Sequence, residues 1–433
     1  MSTFQLVVVS VFVAFIVIGV GAFAMFGGVF GGGGVGAVTI WGTMPQDTGD
    51  KLLEGLRTDD KNLQDTVYVE KDAGSYESTL LNAMASGASP DIFLVTQEQL
   101  GAFSDKILTI PYGTVSQSQF VSSYIDEGQI FLTSQGALAL PFAVDPLVMY
   151  WNRDLFGSAG LAQAPLYWND FLTLAPKMYS ANSSQNITRS AVAMGAWSNI
   201  AHAKEILSTL FMQAGEPVTA RNATGALVAV FGQTPQSAAN NPAESALRFY
   251  TEFGNPSKTT YSWNRSLPRS DDAFLSGRLG VYFGFASEYR SLAERNPNLR
   301  FAVALMPQLQ GSGSTMTYGT MTALAIPKSA RNIPGAALVA QSLAGAPAAA
   351  ALSVLTNMPS ARRDVRLDTA GSAVNAIFAQ SALIARGWVD PSQSKTDAVF
   401  KTMIESVVSG ASVPATAVSE AAQEFNQLIP PVY

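Results

Sequence analysis

Few residues in this chain have the chemistry of a catalyst. His202 is the single histidine and cysteine is absent. Thiol nucleophiles, thiolate metal sites and disulfides are therefore excluded, and any Ser-His-Asp arrangement would rest on one imidazole. That imidazole lies in an apolar stretch, where a structural histidine is the ordinary reading. The glycine run GGGGVG at 31–36 lacks the Lys-Ser/Thr that a phosphate-cradling loop needs. Asp271-Asp272 reads as a helix start, where acidic side chains complement the dipole. No zinc or calcium ligand spacing is present, and no cofactor is expected. Carboxylates are spread widely, so paired acids for glycoside hydrolysis stay open as an alternative. What remains is recognition chemistry. Tryptophan and tyrosine faces pack on the C–H face of a sugar, while carboxylates and amides bond its hydroxyls.

The elements that must position such groups follow from periodicity. Residues 35–41 alternate and are β-rich, so they read as the first strand, and Trp41 ends it where cleft residues lie in open α/β sheets. A core tryptophan is the competing reading. Residues 47–58 place Leu52, Leu53 and Leu56 on one helix face. Residues 66–69 form a second strand, then Tyr76, Leu80, Leu81 and Met84 recur at helical spacing up to Gly87. Residues 92–95, 138–141, 147–151, 280–285, 301–306 and 321–326 read as further strands. His202 to Ala214, Ala243 to Phe253 and most of the C-terminal third read as helices. Such alternation predicts a mostly parallel sheet with helices on both faces.

The length, 433 residues, exceeds one small domain and implies two or more lobes. Net charge is −6 with no basic stripe, which argues against nucleic acid. Thr3–Phe26 carries no charge and as a helix would reach roughly 36 Å, enough for a hydrocarbon core of about 30 Å. It reads as a transmembrane anchor rather than a short secretory signal, although Ala22-Phe23-Ala24 offers a cleavage site. Seven of the ten residues from Gly27 to Gly36 are glycine, a flexible tether.

Four blocks resemble the family 1 extracellular solute-binding proteins of ABC sugar importers, the group that includes maltose-binding protein. They are SYESTLLNAMASGASPDIF (75–93), ALPFAVDPLVMYWNRDLFGSAGL (139–161), DDAFLSGRLGVYFG (271–284) and TALAIPKSARNIPGAALVAQSL (322–343). The second is the most specific, joining a Pro-aromatic-x-x-acid strand to Asn-x-Asp-Leu-Phe and Ala-Gly-Leu. The resemblance implies an α/β, two-lobe periplasmic-binding-protein-like fold with a hinge. Lobe 1 would combine 37–143 with 306–347, and lobe 2 would combine 144–305 with 348–433.

The resemblance also implies a receptor rather than an enzyme. It would capture a carbohydrate between the lobes and deliver it to ABC importer membrane subunits, as a monomer on the extracellular face. Asp145 takes the hinge position where relatives place a ligand-binding carboxylate; a structural turn with Pro146 is the competing role. Trp197 and Asn199 fall where relatives carry second-lobe contacts, with core packing as the rival. Tyr318 and Gly319 precede a strand where relatives bring backbone close to ligand. Glu98 stands where some relatives have an Asp-Arg pair. That departure leaves other sugars, or a non-sugar solute, open in place of a maltose-like ligand.

Overall fold

The computed structural model describes residues 35–222, 225–233 and 241–429. The anchor expected at 3–26 lies outside them, as does the tether except for Val35 and Gly36. Among the described residues no single helix is long and apolar enough to cross a membrane; one bent pair, Ile333–Leu343 with Ala346–Thr356, passes on length and composition alone.

The chain opens with β1 (Val38–Gly42), α1 (Gln46–Arg57), β2 (Thr66–Glu70), α2 (Tyr76–Ser86) and β3 (Ile92–Thr96). Leu52, Leu53 and Leu56 are the buried leucines of α1, as their spacing predicts. Gly87 ends α2 at φ 72°, a left-handed turn that lets its N–H reach the carbonyls of Ala83 and Met84. Strand β4 (Leu140–Asn152) follows, then α3 (Asp170–Met178), β5 (Ser180–Ala181), β6 (Ile187–Val192), α4 (Ala203–Gln213) and α5 (Pro242–Glu252). The remainder is β7 (Leu279–Phe285), α6 (Glu288–Arg295), β8 (Phe301–Ala304), β9 (Thr317–Ala325), α7 (Ile333–Leu343), α8 (Ala346–Thr356), α9 (Ala373–Leu383), β10 (Ala385–Arg386), α10 (Gln393–Val408) and α11 (Pro414–Leu428).

The main sheet runs β2-β1-β3-β9-β4-β7-β6-β5, with β8 beside β4 and β10 beside β9. It is mixed rather than mostly parallel: β1 pairs in parallel with β2 and β3, but β9 runs against both β3 and β4, and β4 runs against β7. Chain returning from the other lobe enters each half in the opposite direction, which periodicity cannot reveal.

The decisive element is β4. Two strands were expected here, broken at Asp145-Pro146; one continuous strand of 13 residues forms instead, about 43 Å long at 3.3 Å per residue. Its first half pairs with β9, from Leu140↔Leu324 to Pro146↔Gly319. Its second half pairs with β7, from Leu147↔Phe285 to Trp151↔Val281. Pro141 falls where the register of β9 slips between Thr322 and Ala323, an irregularity at which a strand tolerates proline, whereas Pro146 lies opposite Gly319 at the changeover between partners.

Hydrophobic packing follows the two halves. Val38, Ile40, Leu94, Leu140, Phe142 and Leu324 form a first-lobe cluster with the helices α7 and α8. Tyr150, Val192, Phe211, Leu247, Phe283, Trp388 and Phe425 belong to a larger second-lobe cluster. Ala348 and Leu352 pack in the first-lobe cluster, and Arg362 and Arg363 still bond to that lobe at Ala344 and Tyr124. Contacts with the first lobe thus continue past residue 347, at Arg362 and Arg363. Helix α8 packs against α1.

Trp388 stacks on Phe400, centroids 6.2 Å apart, and meets Phe425 edge-on. Trp388→Ala is expected to lower unfolding free energy by about 3–5 kcal/mol. Urea denaturation checks it, and a loss below about 1 kcal/mol would remove Trp388 from the supports of the second lobe.

Candidate functional site

A cavity of about 440 Å³ lies where the two lobes meet beside β4 and β9. Thr43 and Met44, just past β1, line it from the first lobe; Ser287, just past β7, lines it from the second; Ala143–Asp145 and Thr320 form its floor. Helix α8 and the segment after it close one side with Leu352, Ser353, Thr356, Met358 and Ser360. Among its described lining residues Asp145 is the one charged side chain, set among threonine and serine hydroxyls and apolar carbons. A single acceptor group, several neutral hydroxyls and apolar walls suit a neutral, hydroxyl-rich molecule and give an anion no cation to pair with.

Asp145 is aimed by the second lobe. The backbone N–H of Ser287 donates to its Oδ1 at 3.1 Å. Burial pushes its carboxyl up to about 6, opposed by the bonds from Ser287. Beside it, His202 Nε2 lies 2.7 Å from Glu288 Oε1, and Tyr282 donates its hydroxyl to Glu288 Oε2 at 2.6 Å. Burial pulls the imidazole down, but the bond and charge of Glu288 more than offset it, so the pKa of His202 is raised. His202 also precedes α4 with φ 60°, a left-handed backbone uncommon outside glycine. The lone histidine is thus a charge partner within the second lobe.

Glu98 follows β3 and reaches the same hinge from the first lobe. Its Oε1 accepts from the Tyr318 hydroxyl at 2.8 Å. Gln97 clamps this end of β3 onto β9, donating Nε2 to the Gly319 carbonyl at 2.7 Å and accepting the Met321 N–H at 2.8 Å. Burial pushes Glu98 up to about 7; Glu205, on α4, adds to the rise and Tyr318 opposes it. Lys204, also on α4, is buried and donates to Asp390, Thr396 and Asp397 at 2.7–2.8 Å, fixing the start of that helix against the 390–397 segment.

The pattern of the family described as bacterial extracellular solute-binding protein matches residues 63–350. The chain belongs to that family. No curated protein matches it by sequence. Among solved structures it is similar to a cyclo/maltodextrin-binding protein complexed with maltotetraose, at 14% identity and TM-score 0.72, over 92% of this chain and 97% of that one. It is also similar to an ABC transporter solute-binding protein of Thermotoga lettingae bound with alpha-D-tagatose, at 18% identity and TM-score 0.64, over 91% and 100% of the two chains. A third is the maltose/maltodextrin-binding domain of Bdellovibrio bacteriovorus bound to maltotriose, at 12% identity and TM-score 0.66, over 91% and 99%. At these identities the likeness establishes the two-lobe fold, and family membership makes the chain a binding protein rather than an enzyme.

In this solute-binding protein the sequence-derived site residues separate into groups. Asp145 lines the cavity, and Glu98 joins Tyr318 and Gly319 at the hinge. Tyr318 is buried, with its N–H bonded to Thr209. Gly319 sits inside β9, and its missing side chain makes room for protein: an added Cβ would lie 2.5 Å from Glu127 Oε2 and 2.8 Å from the Ala385 Cβ. Trp41 is partly exposed beside the first-lobe core, with Lys71 Nζ 3.9 Å from the ring centroid; Thr43, two residues on, faces the cavity instead. Trp197 packs against the second-lobe core. Asn199 is buried, accepts from Trp263 Nε1 at 3.1 Å and donates to the carbonyls of Asn264 and Leu267 at 2.9 Å. Its amide is occupied holding the second lobe together. Thr43, Ser287 and Glu127 carried no motif that would single them out.

Glu98 is protonated more readily in the folded chain than in an unfolded one, near 4.3. Its contribution is therefore full below about 4 and is lost as pH rises through about 7. Glu98→Gln is expected to make stability fall less steeply between pH 5 and 7 than in the wild type. Thermal unfolding across that range checks it; identical slopes would place Glu98 in water.

Proposed function

We propose that this solute-binding protein is a membrane-tethered extracellular receptor that captures a carbohydrate between its lobes and passes it to an ABC importer. The observation that carries the reading is the hinge cavity, with one carboxylate, Asp145, among hydroxyls and apolar carbons and drawn from both lobes. The sugars bound by the structurally similar proteins, from a monosaccharide to maltotetraose, support a ligand of that class. Asp145 would accept from sugar hydroxyls, with Thr43, Thr320 and Ser287 completing the polar contacts. Met44, Phe142 and Met358 would cover the C–H faces. Glu98, Tyr318 and Gly319 would hold the hinge against which the lobes close, and Trp41 and Trp197 would flank the cleft rim. Ligand preference for the closed arrangement drives the population toward it. The uncharged 3–26 segment and the glycine-rich stretch after it would keep the receptor at the cell surface.

Thermal unfolding of the full-length chain against mono- and oligosaccharides tests this. A bound sugar at a hundred times its dissociation constant is expected to stabilise the fold by about 2.7 kcal/mol, with no product formed. Turnover of the sugar would convert the reading to a hydrolase, and silence across the panel would end the carbohydrate assignment. Asp145→Ala is expected to weaken the stabilising sugar by about 1–3 kcal/mol, roughly 5- to 150-fold. Titration calorimetry reads that change, and unaltered affinity would remove Asp145 from the site.

A further inference from the structure

The turn after β7 is fastened from several sides, and the fastening converges on Glu288. Its Oε1 accepts the Phe285 N–H at 2.9 Å and faces His202 Nε2 at 2.7 Å, and its Oε2 accepts the Tyr282 hydroxyl at 2.6 Å. One carboxylate thus joins β7, through Tyr282 and Phe285, to the start of α4, through His202, and to α6, which Glu288 itself opens. The surroundings are shaped for it. An added Cβ at Gly284 would lie 2.5 Å from Tyr282 Cε1 and 3.1 Å from Glu288 Oε2, so glycine there leaves room for the bond between them. His202 takes φ 60° just before α4, and its ring meets Phe285 edge-on with centroids 4.9 Å apart. A left-handed backbone outside glycine persists only where the surroundings over-determine it. Here it places the imidazole against Glu288.

The residue held by this network is Ser287. Its N–H donates to Asp145 Oδ1 at 3.1 Å. Both neighbours of that bond are tied to β4 as well: the Ala286 N–H donates to the Pro146 carbonyl at 3.0 Å, and the Tyr150 hydroxyl donates to the Phe285 carbonyl at 2.7 Å. The described lining of the cavity includes Ser287 and Asp145 but neither Glu288 nor His202. Their hydrogen-bonded path to a ligand therefore runs through the turn.

We propose that Glu288 is the positioning residue of this site. It fixes the turn that carries Ser287, and through the Ser287 N–H it sets the orientation in which Asp145 meets the ligand. The inference rests on the reading that Asp145 binds the sugar. A carboxylate free to rotate must be ordered by the ligand that it binds, whereas one with Oδ1 already held leaves the ligand less ordering to impose. Removing the Glu288 side chain takes the acceptor from Phe285, Tyr282 and His202 together. The turn then loosens, and Asp145 loses its donor while staying in its strand.

A double-mutant cycle tests this, read by titration calorimetry of the full-length chain with its most stabilising saccharide. Glu288→Ala is expected to weaken binding about tenfold in the wild-type background. In Asp145→Ala it is expected to cost less than about twofold, because an effect transmitted by Asp145 disappears with that side chain. Equal losses in both backgrounds would overturn the proposal. In Glu288→Gln the side-chain carbonyl can still accept from Phe285 and His202 and the amide can donate to the Tyr282 oxygen, so binding within about threefold of wild type is expected. A loss matching Glu288→Ala would make charge, not the bonded turn, the cause and would overturn the proposal. Should Glu288→Ala not fold, His202→Asn serves, since asparagine tolerates the left-handed backbone but is too short to reach Glu288. A smaller loss confined to the wild-type background is expected, and equal losses would again overturn it. The linkage is also read without ligand: exchange of the Ser287 amide proton is expected to quicken about tenfold in Glu288→Ala, and an unchanged rate would overturn the proposal. If no saccharide binds, the carbohydrate reading fails by itself, and this exchange rate still decides the linkage.

Discussion

The structure depends on one constraint, that a single strand, β4, belongs to both lobes at once. Residues 140–146 of β4 are bonded to β9 in the first lobe, and residues 147–152 are bonded to β7 and β8 in the second. Backbone hydrogen bonding thus continues from one lobe into the other, and Thr317 Oγ1 adds a bond to the Leu147 carbonyl at the changeover. The lobes cannot separate without tearing this ladder, yet they can bend about it, because only a narrow band of sheet joins two independently packed cores. Any group placed at the changeover is brought to the junction by the fold itself. Asp145 stands there, bonded to Ser287 from the far side.

The electrostatics of that junction are acidic and close to balance between neutral and charged forms. Glu98, Glu127 and Asp145 all have raised carboxyl values, first because burial penalises their charge and then because neighbouring acids add to it: Glu205 at Glu98, Glu98 and Asp145 at Glu127, and Glu288 at Asp145. The cations nearby are committed elsewhere: Lys204 to Asp390 and Asp397, Arg386 to Asp126, and His202 to Glu288. A junction built in this way is sensitive to what fills it. Neutral hydroxyl donors satisfy buried carboxylates without adding charge, whereas an anion would meet only like charge.

Much of the first lobe was legible because its strands and helices are cleanly punctuated. Gly42, Gly87 and the Ser89-Pro90-Asp91 step mark ends that the structure keeps within a residue or two. The hinge was legible as a motif but not as geometry. Asp145-Pro146 looks like a break, and only long-range pairing with β9 makes it the middle of a strand. Tyr318 and Gly319 were read as preceding a strand and fall inside it for the same reason. Trp197 and Asn199 sit at the right stage of the chain, yet Asn199 is spent on Trp263 and two carbonyls, a partnership 64 residues distant that periodicity cannot show. Ser287 is ordinary in sequence; its role comes from the meeting of β4 with the turn after β7, 142 residues apart along the chain.

The claim at the centre of this account is that a sugar is held at the changeover between the lobes. A crystal structure of the full-length chain with its most stabilising saccharide tests it most directly. The account predicts sugar density between Thr43, Asp145 and Ser287, with a hydroxyl within hydrogen-bond distance of the Asp145 carboxylate. Density confined to another part of the molecule, with this cavity holding only water, would contradict it.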